Sequence, residues 1–390
     1  MAQAFVPSTS SPFEVLTDPD AADRLSGILT GELPLSDSDP LDAALVECAR
    51  AERVHLLLAD RVGLSTRGSS ADPTGVIDGL LGASRAAAAD DAARTRELVR
   101  VVGRLADAGC SPIVFKGAAL AHTHYRRPWL RPRLDTDVLV DPDHKAVAAG
   151  VFAALGYTRP AFVSGRLVMY QEMFVRAEAG GLEHVFDVHW RVANPQVVSG
   201  VLSHAELDAR AVRVTVTGGH IRVPCPVDAL LLACVHRAAH HHDSREWLWL
   251  YDIHLLARGL SEEDWRDLVA LARSRRVAAL GARGLALAAS RFGTPVPDFA
   301  TGAWATDGGE PSAVFLRDGL RPLARLRSDL AALGLADRLR LLRELVVPPP
   351  SYMRSAYGES AWLPWQYVRR VVTGARKWTR PVARNRHARE

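Results

Sequence analysis

Residues 135–142 read Asp-Thr-Asp-Val-Leu-Val-Asp-Pro. A short β-branched and aliphatic run halted by proline predicts a strand. On a strand, side chains i and i+2 leave the same face, about 6.5–7 Å apart. Asp135 and Asp137 therefore share one face, and Thr136, Val138 and Val140 turn toward a core. Two like charges held side by side repel unless a cation lies between them. The run is thus either the polar face of an edge strand or half of a cation site. Oxygen donors of this charge suit Mg²⁺, which binds through one or two carboxylates plus substrate phosphates.

The flanking sequence predicts more strands around few helices. Ser111-Pro-Ile-Val-Phe-Lys-Gly117 gives a strand over 112–115 and a tight turn, followed by a short helix. Residues 143–156 form a helix with Asp143 as its cap and Gly156 as its end. Extended runs follow at 166–175 and 182–192, then a strand pair at 211–226. A helix embedded among strands predicts an α+β domain with a mixed sheet over about 110–225. The domain is flanked by a loosely ordered acidic stretch (1–40) and an N-terminal helical region (41–109). A C-terminal helical domain (226–345) and a basic, tryptophan-bearing end helix (346–390) follow it.

With 390 residues the chain is long enough for two or three domains, and no apolar run approaches the ~18 residues of a membrane span. The first residues carry neither a basic nor an apolar leader segment, and the four cysteines (Cys48, Cys110, Cys225, Cys234) form no CxxC. These features predict buried thiols in a reduced cytoplasm. Residues 1–45 hold eight acids and one base, whereas residues 351–390 hold nine bases and two acids. The basic end is read as a solvated helix, or as a contact for nucleic acid or a membrane surface. Only three of the 48 basic residues are lysine: Lys116, Lys145 and Lys377. In a chain that writes arginine by default, a lysine calls for a specific reason.

A third acid, Asp187, lies in Phe186-Asp-Val-His-Trp-Arg-Val192. If Phe186, Val188, Trp190 and Val192 are the buried alternation, Asp187 shares the other face with His189 and Arg191. Lys116-Gly117 sits at a strand–helix junction, where backbone N–H groups favour anions and glycine permits close approach of a phosphate. A compact ammonium there suits a nucleotide phosphate. Arg131 and Arg133, just before the aspartate pair, either neutralise it as salt bridges or reach triphosphate oxygens. Further on, His236 and His240 stand four apart on one helix face, with His241, His242, Asp243 and Asp252 nearby. This cluster is a polar helix end, a border of the active cleft, or the His-Asp dyad of an HD-type metal phosphohydrolase. The last reading leaves the aspartate strand unexplained.

The segment 114–140 (VFKGAALAHTHYRRPWLRPRLDTDVLV) followed by FDVHWRV resembles the uncharacterised nucleotidyltransferase family of the DNA-polymerase-β-like superfamily. The shared elements are a KGxxLA turn, an Arg-Pro loop, a DxD strand and a later D-x-H-W strand, over about residues 105–260. The resemblance implies a small nucleotidyltransferase core in which Asp135, Asp137 and Asp187 hold two Mg²⁺ ions, and Lys116 and Gly117 form the phosphate-side turn. It implies transfer of an NMP group from an NTP such as ATP to a hydroxyl or phosphate acceptor, with pyrophosphate released. The acceptor class, a small molecule, peptide or protein, stays open. The alternative within the same fold is a catalytically silent nucleotide-binding protein. The wider superfamily usually has Gly-Ser at the turn, whereas this chain has Gly117-Ala118 and so no hydroxyl there.

Overall fold

The computed structural model describes residues 19–34, 43–65, 75–178, 180–304, 309–317, 319–358 and 362–378. Helices α1 (Pro19–Thr30), α2 (Ala43–Ala51), α3 (His55–Ser65) and the long α4 (Val76–Asp107) precede the sheet. Leu25, Ile28 and Leu29 repeat at helical spacing and are buried, so residues 19–30 form a packed helix and not the loose segment expected. The rest of that expectation, apart from residues 31–34, falls outside the described residues. Leu98, Val101, Val102 and Leu105 make the buried face of α4, and Gly109 in the left-handed region (φ +83°) turns the chain out of it.

Next come β1 (Ile113–Val114), α5 (Lys116–Thr123), β2 (Thr136–Leu139), α6 (Lys145–Ala154), β3 (Gln171–Ala177) and β4 (Glu183–His189). The sheet order is β1-β2-β4-β3, with β2 and β4 parallel and the two outer strands antiparallel to them. This is the mixed sheet the alternation predicts. Asp143 does not cap α6. The Asp141 carboxylate accepts from the Asp143 backbone N–H instead, because a 3₁₀ turn over Pro142–His144 precedes the helix. Two short helices, α7 (Gln196–Ser199) and α8 (His204–Arg210), lead to the hairpin of β5 (Val212–Val216) and β6 (Gly219–Val223).

Helices α9 (Pro226–Ala239), α10 (Trp247–Arg258), α11 (Glu262–Ser274) and α12 (Ala278–Phe292) follow. After them run α13 (Asp298–Trp304), α14 (Pro322–Ala331), α15 (Leu335–Val346), α16 (Pro350–Tyr357) and α17 (Leu363–Trp378). One core lies between the sheet, α4 and α6, joining Val138, Val140, Phe186 and Val188 to Leu98, Leu105 and Phe152. A second joins α1–α3 to α9–α12 and meets the sheet through Ile113, Phe115 and Leu139. Helix α17 sits the unusual way round. Gln366, Tyr367 and Arg370 bond the backbone of the body, while Trp365, Val368, Val371 and Val372 are exposed. Among the described residues no helix is long and apolar enough to cross a membrane.

Candidate active site

Parallel pairing of β2 with β4 sets Asp137 opposite Asp187 and Leu139 opposite His189. Because Thr136, Val138, Phe186 and Val188 are buried, the other face of these strands presents the two acids and the imidazole. One ligand atom each from Asp137, Asp187 and His189 falls within 4.8 Å of the others, a spacing that a single cation can bridge. Asp135 is exposed at the solvent edge of the same face and is not part of this group. The carboxylate trio expected from the sequence is therefore rearranged: His189 stands in the inner set, and Asp135 stands outside it.

Lys116 supplies the positive charge. Its Nζ donates to Asp137 Oδ1 at 2.7 Å and lies 3.4 Å from His189 Nε2, which itself is 2.8 Å from the same Asp137 oxygen. Burial pushes the Asp137 carboxyl up, but the Lys116 ammonium and the His189 bond outweigh it and hold the group well below the usual carboxylate range. Burial and then Lys116 depress His189 to about 4, so the imidazole is neutral at pH 7. As the Nε2–H tautomer it donates to Asp137. With the proton on Nδ1, the Nε2 lone pair faces the carboxylates instead. The ring is steadied edge-on against Phe115, with centroids 5.0 Å apart. Lys116 takes φ +51°, a left-handed conformation that costs a non-glycine residue of order 1–3 kcal/mol.

Asp187 is held asymmetrically. Gln171 Nε2 donates to its Oδ2 at 2.9 Å, while its Oδ1 is buried with no hydrogen-bond partner among the described residues. Burial, followed by the charges of Asp137 and Asp135, pushes its pKa up to about 7. Asp135, although it reaches solvent, is also raised, by the protein around its carboxyl and by Asp137. An orphaned carboxylate oxygen beside a second carboxylate and a neutral imidazole is a donor set that fits a divalent cation. Gln171 in turn accepts from Asn194 Nδ2 at 3.0 Å, and the Asn194 N–H reaches His240 Nε2 at 3.4 Å. Neither Gln171 nor Asn194 is singled out by the sequence, since each is a lone amide with no spacing signal. Only the strand pairing reveals them.

Both arginines form salt bridges, but with carboxylates other than the aspartate pair. Arg131 is buried and pairs with Asp252 at 2.7 Å, where Tyr125 also donates. Arg133 pairs with Asp91 of α4. Gly117 accommodates Arg131: a Cβ there would lie 2.2 Å from the Arg131 Nη1. The space expected to admit a phosphate over Gly117 thus holds a guanidinium, fixed there by its ion pair. Ala118 is buried in the sheet core and faces away from the acids.

The histidines border this cleft. The His236 ring lies 5.0 Å from His240 and 4.7 Å from His241, whose Nε2 is 3.0 Å from that of His236. Burial, then the nearby Lys116 charge, lowers the pKa of all three. Asp243 is instead engaged by Arg237 at 2.8 Å and Arg283 at 3.2 Å. Among the described residues no metal-type cluster includes His242 or Asp243, so the HD-type reading gains nothing from the structure.

A family described as an uncharacterised nucleotidyltransferase matches residues 40–293. No curated protein matches the chain. A solved structure of an antigenic nucleotidyltransferase-like protein from Paracoccidioides brasiliensis is similar at 13% identity and a TM-score of 0.32. The similarity spans 53% of this chain and 95% of that one.

Proposed function

The chain belongs to the uncharacterised nucleotidyltransferase family, and from that premise we propose that it moves an NMP group from an NTP to an acceptor, releasing pyrophosphate, with a divalent cation. The observation that carries this reading is the convergence of Asp137, Asp187 and His189 around an unsatisfied carboxylate oxygen, with the Lys116 ammonium alongside. Asp137, Asp187 and His189 would hold the cation, with Asp135 at the solvent side. An imidazole in the set makes Mn²⁺ as suitable as Mg²⁺. When bound, the cation supplies charge neutralisation at the triphosphate and acidifies an acceptor hydroxyl.

The chain's own residues divide the remaining work. Lys116 leaves Asp137 to contact a triphosphate oxygen, and its ammonium offsets charge building toward the departing pyrophosphate. The acceptor oxygen attacks the α-phosphorus, forming one P–O bond as the bond to the β-phosphate oxygen breaks and pyrophosphate leaves with that electron pair. Asp187 Oδ1, held beside the cation, positions the acceptor oxygen, and the acceptor proton passes to Asp135 at the solvent side of the site. Gln171 holds the opposite oxygen of Asp187 and fixes the direction of its Oδ1 lone pair. Incubation with each α-³²P-labelled NTP and Mg²⁺ or Mn²⁺, with a cell extract as the acceptor source, tests the reading. Label transfer and pyrophosphate release are expected, and Asp137→Ala is expected to reduce them at least about 10³-fold with the fold intact. Wild-type turnover in Asp137→Ala contradicts it.

A further inference from the structure

Beside the carboxylates, α5, α9 and the β5–β6 hairpin enclose a cavity of about 300 Å³. This is the small end of the range that takes a single organic ligand. Its walls are aliphatic, formed by Leu120, Val214, Val223, Ala229, Leu232 and Ala233. The polar groups that line it are mostly spent on one another. Thr123 Oγ1 donates to Ala119 O at 2.9 Å and meets His124 Nδ1 at 2.7 Å, and Arg131 and Asp252 are paired. Trp249 is already covered, by the stacked His241 ring at 4.3 Å and by the Arg53 and Arg131 guanidiniums at 5.7 and 5.6 Å. Lys116 and His236, whose buried Nδ1 has no partner among the described residues, offer hydrogen bonding to a ligand. Lys116 is also the residue that touches Asp137, so this polar end adjoins the candidate cation site.

We infer that this cavity is the acceptor subsite, and that the acceptor is a small molecule with an apolar aliphatic or alicyclic body and one terminal hydroxyl. The inference rests on the transfer reading above. A nucleobase would find no open aromatic face, and its polar edge atoms away from the Lys116–His236 end would lie against aliphatic walls. A peptide backbone would bring N–H and C=O groups against walls that cannot pair them. An apolar chain suits the walls and leaves its hydroxyl at the Lys116–His236 end, where the oxygen attacks the α-phosphorus and loses its proton as described.

Calorimetric titration of the full chain with ethanol, butanol, hexanol, octanol and glycerol tests the assignment. Affinity is expected to rise about fourfold per added methylene until the cavity is full, with glycerol not binding. Ala233→Phe and Val214→Phe, which fill the cavity from α9 and from the hairpin, are expected to weaken octanol at least tenfold. Both should keep the wild-type Tm and the wild-type affinity for a fluorescent ATP analogue with Mn²⁺. In the wild-type chain, an octanol bearing a diazirine is expected to crosslink on illumination to residues of α5, α9 or the hairpin. Absence of a chain-length trend, octanol binding untouched in both variants, or crosslinks elsewhere overturns the assignment. Loss of the ATP analogue in the two variants gives the cavity to the nucleotide and also overturns it. Octanol binding blocked by both variants, in a protein that transfers no label to any acceptor, retains the subsite and removes the transfer reading. Transfer to acceptors with no apolar body, undiminished in Ala233→Phe, does the reverse.

Discussion

Lys116 occupies the place of a cation. Its ammonium sits on the carboxylate that a metal would need, and its backbone is strained to put it there. Replacing it by methionine removes the competitor but also the proposed phosphate partner. Lys116→Met is expected to bind Mn²⁺ several-fold more tightly and the ATP analogue at least tenfold more weakly, both measurable by titration. A second consequence concerns pH. The folded pKa of Asp187 is raised from 3.8 to about 7, so the folded state holds a proton that the unfolded chain releases, and protonation stabilises the fold. That contribution is present below about pH 4 and is lost as the pH rises through about 7. Glu52, raised by burial from 4.5 to about 7, acts in the same sense. Metal-free Asp187→Asn is therefore expected to show a shallower fall in Tm between pH 5 and 8 than the wild type, and Glu52→Gln to flatten the remainder. An identical slope in all three proteins contradicts these assignments. Added Mn²⁺ is expected to raise the wild-type Tm at pH 8 and to leave that of Asp187→Asn nearly unchanged.

At the level of elements, helix α5 is fixed by a contact made through a glycine. Arg131, anchored on Asp252 of α10, lies over Gly117, so loop, helix and C-terminal helices lock together. Gly117→Ala forces that guanidinium aside and is expected to cost about 1–3 kcal/mol. Asp252→Ala leaves a buried, unpaired arginine and is expected to cost about 3–5 kcal/mol. Urea denaturation of each variant measures both. This arrangement also marks where local sequence stops being informative. The period-two pattern of residues 135–140 and 186–189 reveals the strands and which side chains share a face, because a strand's alternation is a local property. That Asp137 faces Asp187 follows from parallel pairing across the sheet, and the capture of Arg131 follows from a carboxylate 121 residues away. Neither depends on spacing. The same limit applies to α17, whose amphipathic pattern is plain while its outward-turned apolar side depends on what Gln366, Tyr367 and Arg370 find on the body.

Across the whole molecule, the site is a boundary between two packed bodies of side chains. The face of the sheet with α4 and α6 is closed by aliphatic and aromatic residues, and the other face carries the acids toward α5 and the histidines of α9. The core beneath the C-terminal helices also takes in α1–α3. Loosening the N-terminal helices should therefore disturb α9–α12 directly and the cleft through them. Deletion of residues 1–34, which removes the buried Leu25, Ile28 and Leu29, is expected to lower the Tm by several degrees without abolishing Mn²⁺ binding. The cation site is tested by Mn²⁺ binding to the full chain, followed by electron paramagnetic resonance, in the wild type and in Asp137→Ala, Asp187→Ala and His189→Ala. Saturable binding in the wild type, weakened at least about tenfold in each variant with an unchanged circular dichroism spectrum, is the predicted result. A wild-type signal in Asp137→Ala and Asp187→Ala, or no saturable binding at all, would contradict it.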